Sequence, residues 1–175
     1  MIRVIDSQTL SIPTSSIGRL LDGLSSVLGL VHCNGYEGHA AMALEDLAMG
    51  HTQFIAYPKY RFALEIQSGM IEFDGRPLVQ GVLEDLQRGT DLASIAFGIH
   101  ASIATLMSDA LVYLTDDSRR SHRVGLSGGV FQNRLLVELA VEALSRAGHR
   151  VYLHRRVPPN DSGLAIGQLR LARSV

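Results

Sequence analysis

Cysteine is nearly absent from this chain of 175 residues, which contains one, Cys33, and no tryptophan. A single thiol can neither pair within the chain nor build a multi-thiolate site, so a disulfide scaffold and a structural zinc finger are excluded. The chain also lacks an excess of charge of either sign, because 16 basic residues against 17 acidic ones leave a formal net charge of -1. This balance argues against dependence on a non-specific phosphate field, and we expect no nucleic-acid partner.

Long hydrophobic runs are missing as well. None approaches the roughly 20 residues that a membrane span needs, and the first residues do not lead into the apolar core of a signal peptide. Disorder is excluded by composition, since 46% of the residues are hydrophobic and the charges balance. We therefore expect one soluble, cytoplasmic domain over residues 1–175, without a membrane partner, that buries roughly 70% of the surface of the unfolded chain.

Apolar residues recur at helical spacing near the start of the chain. The stripe over residues 17–28 predicts an amphipathic helix with Ser15 or Ser16 as its N-cap. A second stripe over residues 40–48 predicts another helix, which ends at Gly50. The chain therefore begins with two helices that each have one apolar face.

The middle of the chain changes character twice. Short β-type runs in residues 53–73, separated by turn residues, predict a small antiparallel insert. The helical period returns over residues 78–114, and its break at residues 89–91 predicts two helices. Thr90 or Asp91 is the expected N-cap of the longer helix.

The last third is ordered as strand, helix, strand and helix. The predicted elements are a strand over residues 123–127, a helix over 130–147, a strand over 149–155 and a helix over 164–172. This order favours a parallel strand pair joined by a helical crossover. The predicted fold class is therefore α/β, with a parallel strand–helix–strand core, several packed helices and a small β insert.

The turn between the first of these strands and its helix is rich in glycine. Gly128 and Gly129 follow Ser127, and Asn133 comes shortly after them. Glycines here allow close approach of a ligand, and a helix N-terminus offers unpaired N–H groups to a phosphate. The stretch is neither a Walker A loop nor a dinucleotide fingerprint. The alternative interpretation is a tight turn that binds no ligand.

A second loop, before the last helix, carries Asp161. A carboxylate at the mouth of a parallel sheet can bind a metal or a metal-bound phosphate. Aspartate before a helix is also a common N-cap, and the residues alone favour that interpretation. Both loops are expected at the carboxyl ends of neighbouring strands, where open α/β sheets bind ligands.

Asp22 and Glu45 lie on the two predicted N-terminal helices, with Gly38 between them. Paired carboxylates that face a cleft can hold ribose hydroxyls, whereas the plainer interpretation is two solvated helix carboxylates. The seven histidines show no metal-binding spacing. His149 and His154 are expected on opposite faces of one strand, and His100 is expected at the edge of the core.

The combination of these motifs resembles the C-terminal end of HypF, the carbamoyltransferase family of NiFe-hydrogenase maturation. The residues that carry the resemblance are 126–136 and 157–168, with 13–22, 36–45 and 95–100 upstream. It implies an actin-like ATPase (ASKHA) fold, shared with the tRNA threonylcarbamoyl transferases TsaD, in which two lobes clamp a nucleotide beside a metal.

The resemblance also implies site residues and cofactors. The cofactors are ATP or carbamoyl-adenylate, and iron or another divalent metal. The implied nucleotide-binding residues are Ser127, Gly128, Gly129, Asn133, Asp22, Gly38 and Glu45, and the implied metal ligand is Asp161. For Asp161 the resemblance thus favours a ligand over a plain N-cap.

By the same resemblance the chain is the second lobe of a transferase domain. In such a domain a carbamoyl group passes from carbamoyl-adenylate to the C-terminal cysteine of HypE. We expect the lone chain to lack turnover and to require HypE, the missing first lobe or the rest of HypF, or a second copy as partners. The alternatives are a one-lobe scaffold or regulatory nucleotide-binding protein, and a TsaD-like lobe that acts in tRNA modification.

Overall fold

The computed structural model describes residues 14–51, 59–67, 70–115 and 121–173. The helices in these ranges are α1 (Ile17–Val27), α2 (His39–Met49), α3 (Arg76–Gln87), α4 (Leu92–Leu114), α5 (Arg134–Arg146) and α6 (Leu164–Ala172). The strands are β1 (Ala63–Gln67), β2 (Met70–Asp74), β3 (Arg123–Leu126) and β4 (Arg150–Leu153). Two short 3₁₀ turns, Gly129–Gln132 and Asp161–Gly163, follow β3 and β4.

Helices α1 and α2 confirm the two predicted N-terminal helices. The Oγ of Ser16 accepts a hydrogen bond from the backbone N–H of Arg19 at 3.4 Å, so Ser16 is the N-cap of α1. Leu21 and Leu24 of α1 are buried, and α1 packs against α2. Gly38 precedes α2 with a φ of 79°, a conformation that favours glycine.

Helix α4 is the centre of the fold. It packs against α2, α3 and α5, and every residue from Ile95 to Ala104 is buried. Asp91 caps it, because its Oδ2 accepts a hydrogen bond from the N–H of Ser94 at 2.9 Å. Among the described residues α4 is also the helix long and apolar enough to cross a membrane, but 56% of its apolar window is buried inside the protein. Such burial is typical of the core helix of a soluble protein, so the length is weak evidence for a membrane span.

The predicted β insert is confirmed over residues 63–67 and 70–74. Strands β1 and β2 form an antiparallel pair in which Ala63 lies opposite Asp74. The N–H of Tyr60 donates to Ser102 Oγ, and its hydroxyl donates to Asp85 Oδ2, each at 2.9 Å, so the chain before β1 is held on α4 and α3. The other predicted run, over residues 54–57, lies outside the described residues.

Strands β3 and β4 form the predicted parallel pair, with Arg123 opposite Arg150 and Leu126 opposite Leu153. The α/β class and the crossover through α5 are therefore confirmed. The predicted start of the crossover helix at residue 130 is wrong, because residues 129–132 form a 3₁₀ turn and the side chain of Asn133 caps a helix that begins at Arg134. The second strand ends at Leu153, two residues before its predicted end.

Candidate functional site

Two loops meet at the carboxyl ends of β3 and β4. The N–H of Gly128, in the loop after β3, donates a hydrogen bond to the carbonyl of Pro159, in the loop after β4, at 2.7 Å. A Cβ built on Gly129 would lie 4.0 Å from the Cβ of Asn160. The predicted convergence of the two loops is confirmed. It occurs at the carboxyl ends of the strands, the edge at which open α/β sheets bind ligands.

The glycine turn depends on one position in particular. Gly128 has a φ of 120° and a ψ of 159°, a conformation that residues with a side chain rarely adopt. Apart from its chain neighbours, no heavy atom of the described residues lies within 4 Å of the place a Cβ would occupy there. The requirement for glycine therefore comes from the backbone conformation and not from crowding.

Ser127, just before this turn, contacts a histidine that the sequence reasoning did not select. The Oγ of Ser127 lies 3.1 Å from Nε2 of His154, and both residues are exposed. Ser127 follows Leu126 and His154 follows Leu153, which are partners in the strand register. That equal step past paired strand ends was the signal that could have placed these two side chains together.

Asn133 turns its side chain into the protein. Its Oδ1 accepts a hydrogen bond from the N–H of Leu136 at 2.7 Å, and its Nδ2 lies 3.0 Å from Nε2 of His100. The other ring nitrogen of His100, Nδ1, lies 2.8 Å from the carbonyl of Ala96. A carbonyl only accepts, so Nδ1 carries the proton and Nε2 accepts from Asn133.

His100 is therefore a core residue, and its expected position at the edge of the core is wrong. Its side chain is 0% exposed on the central helix α4. Burial lowers the pKa of the His100 imidazole, although the contact with the Ala96 carbonyl opposes that shift. The neutral ring holds Asn133, whose predicted contact with a nucleotide stays a prediction.

Glu45, which lies on α2, holds the N-terminal end of α5. Its Oε1 accepts hydrogen bonds from the N–H groups of Arg134 and Leu135, at 2.6 and 3.1 Å. The interpretation of Glu45 as a solvated helix carboxylate is therefore wrong. Its expected place beside a ribose stays a prediction.

These contacts change what the start of α5 can bind. Glu45 takes the first two N–H groups of the helix and Asn133 takes the third. The expectation that this helix offers unpaired N–H groups to a phosphate is therefore wrong. The first three N–H groups of α5 are bonded within the protein.

Asp22 is a largely buried carboxylate on α1. Its Oδ2 lies 2.8 Å from Nη2 of Arg19, and 14% of its side chain is exposed, so the interpretation as a solvated carboxylate is wrong. Within the described residues neither of its oxygens accepts a hydrogen bond of good geometry. Buried acceptors of this kind favour a donor from elsewhere, such as a hydroxyl. Helix α1 also packs against the 3₁₀ turn after Gly128.

Asp161 is exposed at the start of the 3₁₀ turn Asp161–Gly163. It does not cap that turn, because the Oδ1 of Asn160 accepts the hydrogen bond from Ser162 N–H at 3.2 Å. The N-cap of α6 is Gly163, so the interpretation of Asp161 as the N-cap of the last helix is wrong. The described ranges contain no group of three or more His, Cys, Asp or Glu side chains that could hold a metal ion. One carboxylate is too few ligands, so these residues do not fit a resident metal by themselves.

The family model and the sequence relatives that match this chain are all described as carbamoyltransferases. The family described as "Carbamoyltransferase, Kae1-like Domain, second subdomain" matches residues 1–168. Carbamoyltransferase HypF of Synechocystis sp. is 33% identical over 156 residues, which cover 89% of this chain and 19% of that protein. The HypF homolog of Cupriavidus necator is 30% identical over 164 residues, which cover 91% of this chain and 40% of that protein. The chain thus spans less than half the length of these relatives.

The solved structures that are similar to this chain are also of HypF proteins. The crystal structure of full-length HypF in its phosphate- and nucleotide-bound form superposes with a TM-score of 0.81 at 29% identity, covering 99% of this chain and 26% of that one. The crystal structure of T. kodakarensis HypF gives a TM-score of 0.72 at 25% identity, covering 97% and 22%. The α/β fold that the sequence resemblance implied is confirmed.

Proposed function

Because the chain belongs to the HypF carbamoyltransferase family, as the second subdomain of its Kae1-like domain, we propose that it forms one half of a cleft for carbamoyl transfer. The observation that carries this proposal is the junction of the two loops through Gly128 and Pro159. It brings the glycine turn and the Asp161 loop to one edge of the parallel pair, the place where such sheets bind ligands.

The donor proposed for this cleft is carbamoyl-adenylate, formed from ATP and carbamoyl phosphate. Ser127, Gly128 and Gly129 would contact its phosphate, since their turn is exposed. Asp22 and the open start of α2 at Gly38 would lie beside its ribose, because the buried Oδ1 of Asp22 has no hydrogen-bond donor among the described residues. A solved relative with phosphate and nucleotide bound supports nucleotide binding as the family's chemistry.

The acceptor proposed for the carbamoyl group is the C-terminal cysteine thiol of HypE. The exposed Cys33 lies in the loop between α1 and α2, outside the two joined loops. The edge presents hydroxyl, imidazole and carboxylate groups, and Cys33 lies elsewhere. The thiol that becomes carbamoylated would therefore come from a partner. These groups would hold the donor in position for attack, which is a large part of catalysis in group transfer.

The first subdomain is the proposed partner that completes the cleft. Helix α6 exposes large apolar side chains, which are Leu164, Ile166, Leu169 and Leu171, at 48% to 71% of their surface. Apolar surface of this extent is typical of an interface. The chain also covers only 26% of the full-length HypF structure, so most of that protein is available to cover α6. A metal near the phosphates would need ligands from this partner besides Asp161.

Calorimetric titration of ATP tests the half-cleft directly. We expect the chain alone to bind ATP weakly or not at all and the chain mixed with the first subdomain to bind it. The mixture should then carbamoylate a HypE acceptor, which mass spectrometry of its C-terminal peptide detects. Multiple turnovers by the chain alone would contradict the proposal, and a symmetric dimer that binds ATP would favour a second copy as the partner.

A pair of substitutions on α6 serves as the interface control. Leu169→Ala removes an apolar side chain that is 66% exposed, whereas Arg170→Ala changes its charged neighbour on the same helix. We expect Leu169→Ala to weaken binding of the first subdomain about tenfold or more, since full burial of a leucine side chain contributes about 1.5–3 kcal/mol. Arg170→Ala should have the smaller effect.

A further inference from the structure

The contact between Ser127 and His154 is a polar pair at the cleft edge. The proposed function lets these groups hold the donor and assigns no proton transfer to either of them. Ser127 Oγ and His154 Nε2 are 3.1 Å apart, on the loops that follow two paired strands. Both side chains are exposed, so a substrate can reach them without any rearrangement of the core. Strand pairing sets their spacing, which is the support that a chemical group needs.

Carbamoyl transfer to a thiol requires a group that accepts a proton. Near this edge Glu45 is bound to the amides of α5, and His100 is buried and holds Asn133. Asp161 is exposed, but a carboxylate is a far weaker base than an imidazole at neutral pH. His154 is thus the exposed imidazole of the two joined loops.

The surroundings of His154 leave its ring available. The other charged side chains of its loop are Arg155, Arg156 and Asp161, all exposed. Asp161 is the one carboxylate among them, and within the described residues it forms no ion pair with His154, whose polar contact is the Ser127 hydroxyl across the strand pair. With the proton on Nε2, the ring donates to Ser127 Oγ and Nδ1 keeps a lone pair for a substrate proton.

We propose that His154 accepts the proton of the acceptor thiol and that Ser127 orients its ring, an inference that rests on the proposed carbamoyl transfer. The S–H bond breaks and its proton passes to Nδ1 of His154. Sulfur bonds to the carbamoyl carbon, and the bond from that carbon to the phosphate oxygen breaks, so that AMP leaves with the electron pair. The imidazolium then returns its proton to water.

The test uses the chain combined with the first subdomain, carbamoyl-adenylate as donor and a peptide that ends in cysteine as acceptor. His154→Gln should lower kcat at pH 7 by about 10²- to 10⁴-fold with little change in KM for the donor. Ser127→Ala should lower it less, because the ring remains. His149→Gln, at the opposite end of β4, is the matched control and should keep the parent rate.

An acceptor thiol that is already ionised at pH 7, such as an aromatic thiol, separates proton transfer from structural support. It should restore the rate of His154→Gln towards that of the parent, because no proton has to be removed. An unchanged rate for His154→Gln, or a deficit that is equal with both thiols, overturns the inference while leaving carbamoyl transfer intact. If the unsubstituted proteins transfer no carbamoyl group, the proposed function fails and the inference fails with it.

Discussion

Two groups of polar side chains near the N-terminal end of α5, one on its inner side and one on its outer side, differ in how many of their hydrogen bonds are made inside the protein. On the inner side, Asn133, His100 and Glu45 are paired with each other or with backbone amides. On the outer side, Ser127 and His154 pair across the strand ends and stay exposed. Buried polar groups that are already hydrogen-bonded gain little free energy from binding a ligand. Exposed polar groups exchange bound water for a ligand at a small cost in free energy. The inner side therefore supports the site and the outer side is free to bind.

The largest expected contrast is between a buried leucine of α5 and an exposed leucine of α6. Leu136 of α5 is 0% exposed, so Leu136→Ala should lower the free energy of unfolding by about 2–5 kcal/mol. Leu169→Ala on α6 should change it by less than about 0.5 kcal/mol in the isolated chain. Urea denaturation followed by circular dichroism measures both. Equal losses would mean that α6 is part of the folded core.

Gly128 tests whether the outer turn is as strictly specified as the inner network. Gly128→Ala should cost about 1–3 kcal/mol, since alanine disfavours a φ of 120° even with open space around it. Gly129→Ala is the matched control, because the nearest described atom beyond its chain neighbours, the Asn160 Cβ, would lie 4.0 Å from the added methyl group. Thermal unfolding compares the two. A larger loss for Gly129→Ala would contradict the assigned turn geometry.

Glu45 separates support of α5 from binding of a ribose. Glu45→Ala should destabilise the chain by about 1–2 kcal/mol, as loss of a helix cap does, and should raise the hydrogen-exchange rates of the Arg134 and Leu135 amides. Glu45→Gln keeps an oxygen acceptor and should retain most of their protection. If Glu45→Ala weakens ATP binding by the chain mixed with the first subdomain but leaves both amides protected, the carboxylate acts on the ligand and not on the helix.

The smallest expected effect is a pH dependence that originates at His100. Burial lowers its folded-state pKa below the ordinary value of about 6.5, so the native state binds fewer protons than the unfolded state. The stability from its neutral ring is complete above about pH 6.5 and is lost as the pH falls below it, by at most about 1.4 kcal/mol per pH unit. Denaturation at several pH values measures this slope, which His100→Gln should remove. An unchanged slope would assign it to another histidine.

Features formed by neighbouring residues were predictable from the sequence. Ser16 caps α1 and Asp91 caps α4 through a backbone N–H three residues away, so each cap lies within one short stretch of sequence. The parallel pair of β3 and β4 follows from the order of elements along the chain. The start of α5 was not predictable, because Glu45 lies 89 residues before the amide of Arg134 that it binds.

The candidate site was predicted in outline and differs in its inner contacts. The meeting of the Gly128 loop with the Asp161 loop followed from strand topology. The cap of the second loop is Asn160 and not Asp161, since the asparagine oxygen reaches the N–H of Ser162. His154 was missed because period-2 reasoning set it against His149, whereas its relevant neighbour is across the sheet. Side-chain periodicity specifies a face and leaves the partner on that face open.

The amino-acid sequence by itself determined the element types, the strand order and the family resemblance, because hydrophobic periodicity, turn residues and ordered motifs are local properties of the chain. Only the tertiary structure decided that Glu45 and His100 support Asn133 and its helix, and that His154 meets Ser127. Each of these contacts joins residues at least 27 positions apart. Packing of the central helix and pairing of the strands bring such residues together, and a linear pattern does not encode which distant groups then come within hydrogen-bonding distance.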